Sequence, residues 1–271
     1  MRENMNTVTV GDVLVAYTES GLAESDFPPV VFVHGLGEDR RSWAGAQADL
    51  TEVHTYAYDL RGHGASTLGK ADGTVDQLGR DLIGFLEEVS GPAIVVGFSA
   101  GGTIVLWAAA ERPDLVTRAV VMGTSSVVGR AAAEFYQGRA ALAANTSTRE
   151  FHEAMRQDTA AGIVAATGRV DELTEMRLEA VGDGAGYTNV AQAMSTLRER
   201  PLTPRLGEIT QHVDVIAATQ DALCPEKAAQ MIVDGLPDVT YRTIPDAGHL
   251  MSVDNPAAVT AALRAAILEH R

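Results

Sequence analysis

A serine with the neighbours of an activated nucleophile lies near the middle of the chain. Residues 97–101 read GFSAG, which matches the pattern G-x-S-x-G with Ser99 at its centre. The apolar run AIVVG precedes the serine and a segment with helical spacing follows it, so the motif predicts a sharp strand-to-helix turn. Such a turn presents the hydroxyl above the edge of a sheet, near the positive end of a helix dipole. The pattern therefore predicts nucleophilic catalysis by Ser99.

A serine hydroxyl is a weak nucleophile at neutral pH and needs a neighbouring base. Among the seven histidines, His249 is the best candidate, because it lies in the loop DAGHL between a predicted strand and the last predicted helix. His34 also follows a strand, but its neighbour Gly35 suits an oxyanion-binding loop better. His63 is expected to make local hydrogen bonds within a turn. Surface or packing roles are expected for the remaining histidines, which are His54, His152, His212 and His270.

The base needs an acidic partner that orients the imidazole and stabilises its charged form. Asp221 follows the apolar run VDVIAA and precedes His249 by 28 residues, which leaves room for one helix and one strand. Asp59 and Asp246 are alternatives. Asp59 opens a turn before the nucleophile, whereas Asp246 is expected to shape the loop that carries the histidine. The predicted triad is therefore Ser99, Asp221 and His249, in that chain order.

The elements that must position these residues alternate along the chain. A hairpin is predicted over residues 8–17, with its turn at Gly11 and Asp12. Short apolar runs predict strands at 29–33, 53–58, 93–97, 118–122, 213–218 and 239–244. Apolar residues at helical spacing predict helices at 74–89, 100–111, 225–235 and 256–269. Runs that are apolar on both faces and alternate with helices predict an α/β fold with a doubly wound, mostly parallel sheet.

Residues 125–200 have a different character from the rest of the chain. They are rich in Ala, Glu and Arg and contain no convincing strand, and Pro201 separates them from the next strand. We expect this block to be a helical cap inserted into one core. The predicted organisation is a core of residues 1–124 and 201–271 with a cap of residues 125–200.

Composition excludes a disordered chain, a collagen and a coiled coil. The 271 residues are 46% hydrophobic and 21% charged, which is ordinary globular usage. A net charge of −15 disfavours binding to nucleic acid or to an anionic membrane surface. One cysteine, Cys224, allows no intrachain disulfide, and its expected role is that of a small buried apolar side chain. No signal peptide or membrane-spanning run is evident, so a cytoplasmic location is expected.

Four motifs together resemble those of the α/β-hydrolase family, in the family's order and across essentially the whole chain. They are HGLG at 34–37, DLRGHGAS at 59–66, GFSAGG at 97–102 and DAGH at 246–249. The resemblance implies that the backbone N–H groups of Leu36 and Ala100 form an oxyanion hole. The segment HGLGEDRRSW is similar to that of enol-lactonases and related esterases, with Trp43 in the pocket wall or the core.

The resemblance implies hydrolysis of a carboxylic ester or lactone, with a small molecule as the partner. Phe98, Leu250 and Met251 flank the motifs and are candidates for lining an apolar pocket, although Leu250 and Met251 suit a core role equally well. Neither a metal nor another cofactor is expected, because no metal-binding or dinucleotide-binding motif is present. A homo-oligomer is compatible with the sequence. Two alternatives stay open, namely carbon–carbon cleavage or a tailoring reaction by the same triad, and a ligand-binding protein with little turnover.

Overall fold

The structure, a computed structural model, describes residues 5–269 and is built around one eight-stranded sheet. His270 and the first four residues of the N-terminal segment lie outside the described residues. The strands are β1 Met5–Val10, β2 Val13–Ser20, β3 Val30–Val33, β4 Thr55–Tyr58, β5 Ala93–Phe98, β6 Val116–Met122, β7 Val213–Ala218 and β8 Val239–Ile244.

The order of strands across the sheet is β1-β2-β4-β3-β5-β6-β7-β8. The β1–β2 hairpin and its pairing with β4 are antiparallel, and all later pairs are parallel. From β3 the chain moves outward to β4 and then returns to the other side of β3 as β5. In open α/β sheets, ligand sites form at the carboxyl ends of the strands beside such a reversal. Here that position is the end of β5, directly before Ser99.

Helices cover both faces of the sheet because the central strands are buried on both sides. The described helices are α1 Ala44–Asp49, α2 Val75–Phe85, α3 Ala100–Glu111, α4 Arg130–Leu142, α5 Arg149–Ala161, α6 Val170–Val181, α7 Ala185–Thr196, α8 Glu226–Gly235, α9 Met251–Asp254 and α10 Pro256–Leu268. One apolar core joins the sheet to α2, α3 and α8, and a second joins its other face to α1, α9 and α10. The predicted doubly wound, mostly parallel α/β fold is confirmed.

The segment between β6 and β7 contains α4, α5, α6 and α7. Part of it has a separate small core, in which Phe151 and Tyr187 meet edge to face with ring centroids 5.8 Å apart. Several of its residues reach the carboxyl edge of the sheet, as described below. The division into core and cap remains a prediction.

Two short helices were not predicted from the sequence. The helix α1 has six residues and follows a 3-10 turn over Arg40–Trp43, and α9 has four residues. Neither is long enough to display helical periodicity, so both depend on contacts with the rest of the fold. Within residues 5–269, no helix is long and apolar enough to cross a membrane.

Candidate active site

Ser99 lies in a strained turn between β5 and α3. Its φ of 54° falls in the left-handed region, which residues other than glycine rarely adopt. The conformation is held from both sides, since the Ser99 N–H donates to the carbonyl of Met122 at 2.8 Å and the Thr124 hydroxyl donates to the carbonyl of Ser99 at 2.7 Å. Strain that persists under such constraints is typical of functional turns.

Glycine is required on both sides of Ser99 because backbone passes close by. A Cβ built on Gly97 would lie 2.4 Å from the carbonyl oxygen of Gly101, and one built on Gly101 would lie 2.3 Å from that of Val33. Neither oxygen belongs to a side chain that could rotate away. The glycines of the motif therefore allow β3, β5 and the start of α3 to meet at the serine.

We expect Gly101→Ala to lower the free energy of unfolding by about 3 kcal/mol, since the added methyl group meets backbone atoms that cannot rotate away. Urea unfolding at neutral pH measures this change. Gly138→Ala in α4 is the matched control, because no atom lies within 4 Å of the Cβ it adds, and it is expected to be neutral or slightly stabilising. Equal stability of Gly101→Ala and the parent protein would contradict the close approach.

The three side chains predicted to form a triad are in hydrogen-bond contact. The Oγ of Ser99 lies 3.0 Å from the Nε2 of His249, and the Nδ1 of His249 lies 2.8 Å from the Oδ2 of Asp221. If Asp221 accepts from Nδ1–H, Nε2 is free to accept the serine proton. Histidine and aspartate are both largely buried. This geometry is the one that a nucleophile, a base and an orienting acid would need.

Asp221 is held in place by its own loop. Its second carboxylate oxygen, Oδ1, accepts hydrogen bonds from the backbone N–H groups of Leu223 and Cys224, each at 2.8 Å. The carboxylate can therefore rotate little, and one oxygen stays directed at His249.

The two alternative acids lie elsewhere. The carboxylate of Asp59 binds Arg40 at 2.6 Å and the backbone N–H of Ala65 at 2.8 Å. Asp246 lies in the turn before the histidine with φ 53°, as its predicted role in shaping that loop requires.

The loop that carries His249 is tied to the α5–α6 connection by Asp254, a residue that sequence reasoning missed. Its carboxylate accepts from the N–H of Gly248 at 2.8 Å and from three consecutive N–H groups at 2.8–3.0 Å, those of residues 164–166. Partial burial opposes ionisation, but these four donors outweigh it and lower the pKa of Asp254. No motif marks this residue, because three of its four partners lie about 90 positions away in sequence.

The loop after β3 lies beside the serine and is braced by two charged side chains. Glu38 accepts from the N–H of Gly35 at 3.1 Å, and burial raises the pKa of this carboxyl. Arg177 on α6 donates to the carbonyl of Leu36 at 3.2 Å and to the hydroxyl of Thr159 at 2.9 Å. The carbonyl of Leu36 is thus fixed by an arginine from the helical segment. Sequence reasoning missed both Glu38 and Arg177.

The two backbone N–H groups predicted to form the oxyanion hole belong to Leu36 and Ala100. Leu36 lines the cavity that contains Ser99. Ala100 is the first residue of α3, where backbone N–H groups lack intrahelical partners and the helix dipole favours negative charge. Their role as oxyanion donors stays a prediction.

A cavity of about 240 Å³ opens at the serine. Of the residues predicted to line the pocket, Phe98 and Leu250 contact this cavity, and the Phe98 ring lies 5.0 Å from that of His249. Met251 is fully buried and lines a neighbouring cavity, not the one at Ser99. Trp43 lines the same neighbouring cavity. The helical segment contributes Tyr136, Arg177 and Tyr187 to the wall around the serine.

The other histidines among the described residues make contacts outside the triad. His34 and His63 are fully buried with their rings 5.3 Å apart, and the Nε2 of His34 accepts the backbone N–H of Leu60 at 3.0 Å. Burial lowers the pKa of His34 to about 4 and that of His63 to about 3. His54, His152 and His212 bond to neighbouring side chains or backbone.

The depressed pKa of His63 predicts a loss of stability in mild acid. Because the unfolded chain binds this proton near pH 6.5 and the folded protein only near pH 3, stability is present above pH 6.5 and falls as the pH is lowered. Between pH 7 and pH 5 the loss from this group is about 2 kcal/mol. His63→Phe should reduce the pH dependence of urea unfolding by that amount. The same pH dependence in both proteins would contradict the buried neutral histidine.

One group of side chains has the spacing of metal ligands among the described residues. Donor atoms of Asp221, Cys224 and His249 lie within 4.8 Å of one another. However, Asp221 and His249 are hydrogen-bonded to each other, and burial raises the pKa of the Cys224 thiol to about 12. Cysteine binds metals as a thiolate. These residues therefore fit a hydrogen-bonded triad with a buried neutral thiol better than a metal site.

Comparison with known proteins identifies the family. Residues 28–256 match the family described as the alpha/beta hydrolase fold, so the chain belongs to that family. It is 29% identical over 267 residues to 3-oxoadipate enol-lactonase 2 of Acinetobacter baylyi, covering 96% of this chain and 95% of the relative. It is also 29% identical over 246 residues to the pimeloyl-[acyl-carrier protein] methyl ester esterase of Aromatoleum aromaticum, covering 84% of this chain and 94% of that protein.

The same architecture is found among solved structures. The enol-lactonase from Burkholderia xenovorans LB400 superimposes with a TM-score of 0.85 at 24% identity, covering 95% of this chain and 98% of that one. At this identity the likeness demonstrates the fold alone.

Proposed function

We propose that this protein is a serine hydrolase that cleaves a carboxylic ester or a lactone. The observation that carries the proposal is the continuous hydrogen-bonded line from Ser99 through His249 to Asp221, with the serine in the wall of a cavity. Similarity to an enol-lactonase and to a methyl ester esterase supports the same class of reaction. The proposed organisation is a core of residues 1–124 and 201–271 with a helical cap of residues 125–200.

In the proposed mechanism, His249 takes the proton of Ser99 as the hydroxyl oxygen attacks the carbonyl carbon. The N–H groups of Leu36 and Ala100 donate to the oxyanion of the tetrahedral intermediate, and such a donor is worth roughly 3–4 kcal/mol. Asp221 stabilises the imidazolium that forms. His249 then gives its proton to the departing alkoxide, which leaves an acyl-enzyme. Water, deprotonated by His249, attacks the acyl carbon and releases the acid and the free serine.

A screen of esters and lactones of graded size tests this function directly. Purified protein is expected to release acid from at least one compound in the screen, measured by pH-stat titration so that no chromogenic group is required. Stereochemically simple substrates such as nitrophenyl acetate and a five-membered enol lactone provide the starting points. Tight binding of these compounds without any acid release would contradict the proposal and favour a ligand-binding protein.

A further inference from the structure

A second cavity, of about 460 Å³, lies next to the one that contains Ser99. It is bounded by α1, α6, α9 and α10, and it reaches from the protein surface to a partition shared with the catalytic cavity. The partition consists of Glu38, Phe98, Arg177 and Leu250, which line both cavities. Neither Ser99 nor His249 lines the second cavity, so the proposed reaction does not account for it.

Size indicates that the catalytic cavity is not the whole binding site. Small-molecule sites usually have volumes of about 300–1,000 Å³. The cavity at Ser99 is about 240 Å³, below that range, whereas its neighbour falls within it. A substrate larger than a short ester therefore needs space on the far side of the partition.

The chemistry of the second cavity favours an apolar occupant. Most of its lining is apolar, including Trp43, Leu173, Met251 and Leu263. Charged residues in its wall have partners within the protein, since Arg41 pairs with Asp39 at 2.7 Å and Arg169 pairs with Glu172 at 2.8 Å. These two arginines are thus paired, and most of the surface that remains for a ligand is hydrocarbon.

The partition has a fixed polar half and an apolar half. Arg177 is held by the carbonyl of Leu36 and the hydroxyl of Thr159, and Glu38 is held by the N–H of Gly35. Phe98 and Leu250 form the other half and contribute only carbon atoms. Passage of an alkyl chain from a carbonyl at Ser99 into the second cavity requires space beside these two side chains, and displacing them would break no side-chain hydrogen bond.

We infer that the second cavity is a subsite for the alkyl chain of the substrate, so that the enzyme favours medium-chain over short-chain esters. This inference rests on the proposed ester hydrolysis. Each methylene buried there is expected to raise kcat/KM by up to about fourfold. The preference should appear along a series from acetate to octanoate, or along a series of acetates with longer alcohols. The two series distinguish a chain on the acyl side from one on the alcohol side.

Gly45→Phe tests the subsite by adding a large side chain to its wall. Gly45 lines the second cavity, and no atom lies within 4 Å of a Cβ at this position, so the larger side chain enters open space. We expect at least a tenfold loss of kcat/KM for the favoured eight-carbon ester and less than a twofold change for nitrophenyl acetate. Gly138→Phe is the matched control, because Gly138 is equally open but lines neither cavity. Gly138→Phe should leave kcat/KM unchanged for both substrates.

A binding measurement separates failure of the subsite from failure of the proposed reaction. Trp43 lines the second cavity, whereas the other tryptophan, Trp107, packs on the opposite face of the sheet. Titration with 2-octanone, which cannot be hydrolysed, should change tryptophan fluorescence in the parent protein and not in Gly45→Phe. If no ester is cleaved, this titration still decides the subsite. Unchanged chain-length preference and unchanged ketone binding in folded Gly45→Phe would overturn the inference.

Discussion

Ser99→Ala is expected to lower kcat for ester hydrolysis by about a millionfold, to the level left by binding and oxyanion stabilisation alone. The hydroxyl oxygen is the proposed nucleophile, and alanine retains the Cβ while removing that oxygen. Stability should change little, since the Ser99 backbone is held by Met122 and Thr124 through main-chain atoms that alanine retains. Steady-state hydrolysis of the best ester in the screen, with urea unfolding in parallel, measures both effects.

The control for this variant is Ser147→Ala, at an exposed serine in the turn before α5. It should have the activity of the parent protein. Retention of more than about a hundredth of the parent kcat by folded Ser99→Ala would remove the serine from the mechanism. A contaminating esterase is excluded if the residual rate per milligram of protein is the same after purification by a second method.

His249→Ala is expected to lower kcat to a similar extent, because without the base the serine keeps its proton. The imidazole is the group that contacts both Ser99, at 3.0 Å, and Asp221, at 2.8 Å. The double variant Ser99→Ala/His249→Ala should be no slower than either single variant, since residues that act as a unit are not additive. Measuring all three on one substrate tests this coupling.

His152→Ala is the matched control, because this histidine lies on the exposed side of α5, away from Ser99, and its ring bonds to the carbonyl of Thr146. Its activity should equal that of the parent protein. If the loss of kcat in the double variant equals the product of the losses in the two single variants, Ser99 and His249 contribute separately. That result would contradict a shared proton transfer.

Much of the fold could be predicted because burial on both faces leaves a direct record in sequence. The run VDVIAA coincides with β7 Val213–Ala218, which is buried throughout, and residues 100–111 coincide with the buried helix α3. VTYRTI coincides with β8 Val239–Ile244 for another reason, since this edge strand is mostly only partly buried and its β-branched and aromatic residues favour a strand. The contact between Ser99, Asp221 and His249 could be anticipated for a related reason. Each follows a strand of one parallel sheet, and the carboxyl ends of such strands meet at one edge.

What braces the site could not be predicted, because it depends on pairings between distant segments. Arg177 and Leu36 are 141 positions apart, and Asp254 and Val164 are 90 positions apart. No local pattern specifies which carbonyl an arginine in a helix will reach. The choice between a pocket and a core role for Met251 could not be made for the same reason, since proximity in sequence to His249 does not determine which of two adjacent cavities a side chain lines.

Covalent labelling with a fluorophosphonate reports whether Ser99 is an activated nucleophile, because the reagent reacts with a serine only when a neighbouring base activates it. The labelled protein is digested and the modified peptide is identified by mass spectrometry. Our account predicts a single phosphonate on Ser99 and none on His249→Ala under the same conditions. Modification of a different residue, or an unlabelled Ser99 in folded protein that hydrolyses esters, would contradict it.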